Sequence, residues 1–181
     1  QGHCDDWLTA NHPDPRAIRS RKNLIPADDY SAPQAYRTSI PEELYSTAYV
    51  GERTEAFLTD YAASDQEQPF YIQCSFPDPH HPYTPPGQFW DMYDPADMPL
   101  PASYHQEDLP QTVADIHRQT AEGTRPRNSI YPFHATERET QEIIALTYGM
   151  IANVDAAVGR ITARLEALGL ADDTIVIVLC T

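Results

Sequence analysis

Glycine is scarce in this sequence, which has 7 glycines among 181 residues, all of them dispersed. A glycine-rich phosphate loop cannot be assembled from them. The Gly-X-Ser-X-Gly turn of α/β-hydrolases and the His-Glu-X-X-His helix of zinc peptidases are also absent. The sequence therefore holds no complete catalytic motif of these three enzyme classes.

Cysteine is equally scarce, with only Cys4, Cys74 and Cys180. Three scattered cysteines are too few for a disulfide framework or a close-spaced zinc site. Cys74 and Cys180 lie in apolar runs, where cysteine usually packs as a small hydrophobic residue.

Positive charge is the third deficit. The 12 basic residues face 27 acidic ones, for a net charge of −15. Nucleic acid and anionic membranes need a basic footprint, so we exclude both as partners. No apolar run approaches the roughly 20 residues of a membrane span. The remaining composition, 41% hydrophobic and 22% charged, is that of a folded globular protein.

The first part of the chain has little periodicity. Residues 1–40 carry four prolines and no sustained pattern, which predicts connecting coil anchored by Trp7 and Leu8. Apolar positions then recur at helical spacing from 46 to 63 and predict a helix capped by Ser46. The aromatic and β-branched run 70–76 predicts a buried strand.

The clearest element is a long helix over 136–168. Thr136 and Glu139 form a capping box, an apolar stripe follows for about nine turns, and Gly169 is placed to end the helix. The β-branched run 174–180 predicts a strand covered on both faces. Alternating helices and strands predict an α/β fold with a mainly parallel sheet flanked by helices.

We divide the chain, as one partial α/β domain, into four stretches. The connecting coil of 1–40 is followed by a helix, a strand and a proline-rich loop in 41–101. A long excursion covers 102–135, with one short helix around 109–120, and the long helix and second strand fill 136–181. The aromatic cluster 88–93 is expected to pack the loop against the body.

Two histidines, His80 and His81, stand between prolines directly after the predicted strand 70–76. In open α/β sheets, ligands bind beyond the carboxyl ends of strands. An imidazole there can donate a hydrogen bond to an anionic ester or protonate a leaving oxygen. Asp78 either orients it or serves as a turn residue. Adjacent residues of an extended segment point to opposite sides, so we expect one of the two to face a site.

Three blocks of the sequence together resemble the sulfatase family of the alkaline-phosphatase superfamily. The stretch 69–86 reads PFYIQCSFPDPHHPYTPP, a strand ending in Pro-His-X-Pro, and it follows a helix containing ERTEAFL at 52–58. The stretches 148–161 and 168–176 read YGMIANVDAAVGRI and LGLADDTIV, similar to that family's long helix and next strand.

The resemblance implies an alkaline-phosphatase-like fold and a hydrolase that cleaves the sulfate ester of a small molecule or saccharide. It also implies a calcium-type cation and a formylglycine nucleophile made from cysteine or serine. The family's loop histidine, which contacts the sulfate or the leaving oxygen, matches His80, with His81 as the fallback if the register differs by one.

The sequence departs from the family pattern at the nucleophile and the metal. Cys-X-Pro-X-Arg is absent around Cys4 and Cys74, and Thr181 falls where the family has a metal-binding aspartate. The chain begins with Gln1 and ends within a strand-like run, which predicts an internal fragment of a longer protein. We therefore expect the metal ligands and nucleophile outside this chain, and no activity from the fragment alone.

Two alternatives to sulfate-ester hydrolysis stay open. One is a phosphonate or phosphate ester hydrolase of the same superfamily, since the scaffold serves both chemistries. The other is a non-catalytic binding domain that keeps the fold.

Overall fold

The computed structural model describes residues 3–18, 20–64, 68–127 and 132–179. Its helices are α1 (His3–Asn11), α2 (Pro15–Ile18), α3 (Ser46–Ala62), α4 (Gln111–Ala121) and α5 (Glu137–Ala167), and its strands are β1 (Leu24–Pro26) and β2 (Tyr36–Thr38). Short 3-10 turns lie at Arg21–Asn23, Glu42–Leu44, Gly87–Phe89, Pro95–Asp97 and Ala171–Asp173.

Helix α5 organises the structure and begins at the predicted capping box. Thr136 Oγ1 accepts from Glu139 N, and the Glu139 carboxylate accepts from Thr136 N at 2.7 Å. At the other end, Gly169 has φ +70° and the Leu170 N–H reaches back to Leu165 O, as in a Schellman cap. The sequence prediction of this helix and both of its ends is confirmed.

Helix α3 packs along α5, and their contact is the most extensive between elements of the described chain. Leu58 of α3 and Leu146 and Met150 of α5 are almost fully buried. The Arg164 guanidinium donates to Thr59 Oγ1 at 2.8 Å. The predicted helix of 46–63 is confirmed. Its N-cap is Tyr45, so Ser46 is the first helical residue and not the cap.

The predicted mainly parallel sheet is not found among the described residues. Within the described ranges only β1 and β2 form a ladder, and they are antiparallel, with Ile25 opposite Arg37. Residues 70–76 and 174–179 have no strand assignment. A strand requires a neighbouring backbone to pair with, and neither segment has one in the part of the chain that the structure covers.

Residues 70–76 nevertheless keep the side-chain alternation of a strand. Phe70, Ile72 and Cys74 face inward, and Cys74 Sγ lies 3.2 Å from Thr54 Oγ1 of α3. Tyr71 on the other side is 89% exposed. Residues 175–179 are exposed throughout, contrary to the cover on both faces that their sequence predicts.

The start of the chain is more regular than the connecting coil predicted for residues 1–40. It contains α1, α2 and the β1–β2 pair. The predicted anchor is confirmed: Leu8 is buried, and the buried Trp7 donates from Nε1 to Glu52 on α3 at 2.9 Å. This hydrogen bond joins segments 45 residues apart, which a periodicity search along the sequence does not detect.

Two predictions in the middle of the chain are also confirmed. Helix α4 corresponds to the short helix expected around 109–120 and ends one residue later, and Phe89 and Trp90 are buried. Across all described residues, no helix is both long and apolar enough to cross a membrane.

Candidate active site

The histidine loop, defined here as residues 77–86, turns back on itself at its tip. His80 N donates to Pro77 O at 3.2 Å, and the Asp78–Pro79 and His81–Pro82 peptide bonds are cis. The loop is thus not the extended segment that would point the two imidazoles to opposite sides. The His80 and His81 rings stack with their centroids 4.2 Å apart and their planes 27° apart.

The His80 ring is held in a defined protonation pattern. Its Nδ1 lies 2.6 Å from the His81 carbonyl oxygen. A carbonyl can only accept, so Nδ1 carries the proton. Nε2 is then the nitrogen available for proton transfer or for a contact with a substrate, and the exposed position of His80 leaves it accessible.

A pocket of about 410 Å³ lies beside the stacked rings. Its lining contains both histidines, two prolines of the loop and three further polar residues. In chain order, the lining residues are Tyr45, Pro77, Asp78, His80, His81, Pro82 and Thr84. A cavity of this size matches the lower range of small-molecule sites. The structure thus places both candidate histidines at one concave surface.

Asp78 lies in the wall of this pocket beneath the histidines. Tyr45 OH and Thr47 Oγ1 donate to its two carboxylate oxygens over long distances of 3.5 and 3.4 Å. Burial raises the pKa of Asp78 to about 6, and these two hydrogen bonds offset only part of that effect. The carboxylate is therefore close to half-protonated in weak acid.

Tyr45 connects Asp78 to the far end of the loop. Its hydroxyl lies 3.0 Å from Thr84 Oγ1. Either oxygen can be the donor of this hydrogen bond, and Thr84 Oγ1 also lies 3.5 Å from Pro82 O. Burial first and the Asp78 charge second raise the pKa of Tyr45, so its hydroxyl stays neutral and keeps its role as a donor.

Three further contacts fix the loop and the residues directly after it to the body. Tyr83 forms a backbone bridge with Ala35. The Glu42 carboxylate accepts from Gln88 N at 2.9 Å. Gly149 of α5 lets the backbone of Phe89 come so close that a Cβ on residue 149 would lie 2.3 Å from Phe89 O.

The residues that line the pocket do not fit the calcium site that the family implies. Calcium takes six to eight oxygen ligands, whereas the pocket offers one carboxylate and two imidazoles. Among described residues, no three His, Cys, Asp or Glu side chains are grouped to hold a metal ion. Cys180 and Thr181, where the sequence departs from the family pattern, lie outside the described residues.

Sequence reasoning named His80, His81 and Asp78 as candidates but did not name Tyr45, Thr47 or Thr84. Tyr45 and Thr47 precede Asp78 by 33 and 31 residues, at the start of α3. Their positions beside a helix start carry no local signal for a site. Only the packing of α3 under the loop brings them to Asp78.

Comparisons with known proteins agree with this structure. The Sulfatase family profile matches residues 11–179. The multifunctional alkaline phosphatase superfamily protein PehA of Trinickia caryophylli is 26% identical over 163 residues, which is 84% of this chain and 30% of that protein. An arylsulfatase of Clostridium perfringens is 28% identical over 137 residues, or 74% of this chain and 25% of that protein.

The fold is also similar to a solved structure. The crystal structure of the phosphonate monoester hydrolase of Agrobacterium radiobacter superposes with a TM-score of 0.67 at 24% identity, and the match covers 94% of this chain and 34% of that one. The chain thus spans between a quarter and about a third of these proteins. Because the family profile matches nearly the whole sequence, the chain belongs to the sulfatase family.

Proposed function

We propose that the intact protein containing this chain hydrolyses sulfate esters of a small molecule or saccharide, and that the histidine loop contacts the substrate. The observation that carries this proposal is the stacked His80–His81 pair at the edge of the pocket. The family membership and the arylsulfatase relative support sulfate as the substrate group.

The role of His80 follows from its hydrogen bond. With Nδ1 engaged by the His81 carbonyl, Nε2 of the imidazolium can donate to the ester oxygen that becomes the leaving group. Proton donation at that oxygen offsets the charge that develops as the bond to sulfur breaks, and typically contributes about 10²- to 10⁴-fold in rate. His81 stacks against His80 and holds its ring plane.

The charge of the pocket favours a singly charged ester. Asp78 is the acidic residue in the lining, and none of the described lysines and arginines lines the pocket. A sulfate monoester or a phosphonate monoester carries one negative charge, whereas a phosphate monoester carries two near neutral pH. The second ester charge adds repulsion from Asp78, so we rank phosphate monoesters last.

Phosphonate monoester hydrolysis is the second candidate. It shares the single charge, and one relative is described as multifunctional. Calcium and formylglycine remain part of the proposal for the intact protein, supplied from outside this chain.

The experiment compares 4-nitrophenyl sulfate, 4-nitrophenyl phenylphosphonate and 4-nitrophenyl phosphate as substrates of the intact protein. We expect the highest kcat/KM for the sulfate, and we expect His80→Ala to lower it by at least about 10² while His81→Ala lowers it far less. Equal small effects of the two variants would remove the proposed role of His80. Saturable binding of the esters without turnover would instead identify a binding domain.

A further inference from the structure

We propose that Glu142 of α5 is a positioning residue for the histidine loop, acting through residues 31–36. Its importance for catalysis rests on the function proposed above, but its effect on the loop does not. Glu142 binds residues 31 and 32 and is not among the residues that line the pocket.

The Glu142 carboxylate is fully buried and holds one short segment. Its Oε2 accepts from Ser31 N at 2.8 Å, Ala32 N at 2.8 Å and Ser31 Oγ at 3.0 Å. Hydrogen bonds to an ionised acceptor are roughly twice as strong as neutral ones. Three of them on one oxygen therefore fix residues 31 and 32 against α5.

Arg138 balances the buried charge at the other carboxylate oxygen. Oε1 lies 2.7 Å from Arg138 Nε, one helical turn earlier, as an ion pair. Oε1 accepts no hydrogen bond from the described residues, so this contact is an ion pair alone. Desolvating a carboxylate is costly, so helix packing alone does not explain a charged side chain at this position.

The segment that Glu142 fixes holds the histidine loop by its backbone. Tyr83 N donates to Gln34 O at 2.9 Å, and Tyr36 N donates to Tyr83 O at 3.2 Å. Both backbone polar groups of Tyr83 are thus held, two residues after His81. Glu142 is connected to the stacked imidazoles through backbone hydrogen bonds at each end of one short segment.

The conformation of that segment is one that must be enforced. Gln34 has φ +66° although it is not glycine. Such a backbone is sparsely populated for a residue with a Cβ and persists only where its surroundings determine it. The Ala35 N–H to Ala32 O bond at 3.3 Å closes the turn that contains Gln34, and Glu142 fixes the first half of that turn.

Two kinds of measurement on the intact protein test this inference. In the first, Glu142→Ala should lower kcat on 4-nitrophenyl sulfate by about tenfold to a hundredfold with a smaller change in KM, as expected when a catalytic group is misplaced by about 1 Å. In the second, NMR of ¹⁵N-labelled histidine should show shifted His80 and His81 ring resonances. Glu142→Gln keeps an acceptor oxygen, so its kcat and its histidine ring resonances should stay close to those of the parent protein.

Glu139→Ala is the matched control. Glu139 is also a buried carboxylate on α5, but it holds the helix cap and pairs with Arg127 instead of residues 31–36. We expect it to lower the melting temperature while kcat and the two ring resonances stay unchanged. The inference is overturned if both alanine variants lower stability and neither changes kcat or the resonances.

Two outcomes separate this inference from the proposed function. If His80→Ala leaves turnover intact while Glu142→Ala still shifts the ring resonances, the proposed function fails and the positioning role stands. If Glu142→Ala does not fold, Ser31→Ala decides the question, because it removes one donor of three. Ser31→Ala should shift the His80 and His81 ring resonances, by less than the loss of all three hydrogen bonds would. Unshifted resonances would overturn the positioning role.

Discussion

The replacement of Gly149 by alanine tests how closely α5 approaches the chain that follows the histidine loop. A Cβ at this position would lie 2.3 Å from Phe89 O and 3.2 Å from the Pro85 Cβ. The nearest atom is a backbone oxygen, so the overlap cannot be relieved by rotating a side chain. Extra methyl groups in a well-packed interior cost about 1–3 kcal/mol, and a backbone contact this short favours the upper end.

Gly159 on the same helix provides the control, because a Cβ there meets nothing within 4 Å. Alanine is favoured over glycine in a helix by about 0.8–1.0 kcal/mol. Gly159→Ala should therefore stabilise the protein by about 1 kcal/mol. Gly149→Ala gains the same amount but loses about 3 kcal/mol to overlap, for a net loss of about 2 kcal/mol.

The helix-propensity gain cancels when the two variants are compared, so the difference of about 3 kcal/mol isolates the overlap. Urea denaturation of both variants measures it, as a shift in midpoint at an unchanged slope. If Gly149→Ala is as stable as Gly159→Ala, the close approach of α5 to Phe89 is refuted.

Two further predictions concern ionisation. The pKa of Asp78 rises from 3.8 to about 6 on folding, so the folded state holds its proton more tightly and stability falls as pH rises from about 4 to about 6. At pH 7, Asp78→Asn should be more stable than the parent by at most about 3 kcal/mol, and this gain should vanish below pH 4. Urea denaturation at the two pH values measures the gain, and an equal gain at both would contradict the prediction. Burial, and then His117 at a ring distance of 3.8 Å, lower the pKa of His134. An NMR titration should show His117→Asn raising that pKa, and an unchanged midpoint would rule out the coupling.

Helices were predictable here because their signals are local. The cap at Thr136 and the stop at Gly169 lie within a turn of the residues that they affect. The same is true of the apolar spacing in α3. Strands were not predictable, because pairing depends on a second segment. Residues 70–76 keep the inward and outward alternation that their sequence encodes, but alternation does not supply a hydrogen-bonding neighbour.

The start of the chain shows the converse error. Four prolines and an irregular pattern suggested connecting coil, yet Pro15 begins α2 and Pro26 ends β1. Proline is tolerated at the first turn of a helix and on edge strands, where no backbone donor is needed. Prolines therefore mark positions that lack a backbone hydrogen-bond donor. They do not exclude short regular elements between those positions.

The candidate site combines both situations. Composition and proline spacing identify His80 and His81, because these residues are adjacent in sequence and stand between prolines directly after the apolar run 70–76. The pocket beside them depends on Tyr45 under Asp78 and on residues 34–36 at Tyr83, contacts that span more than 30 residues. Such contacts follow from how α3 and α5 pack, which no local pattern encodes. The residues that set the geometry of the histidines therefore lie outside the motif that identifies them. Substitutions on α5 should distinguish effects on the position of the histidine loop from effects on overall stability.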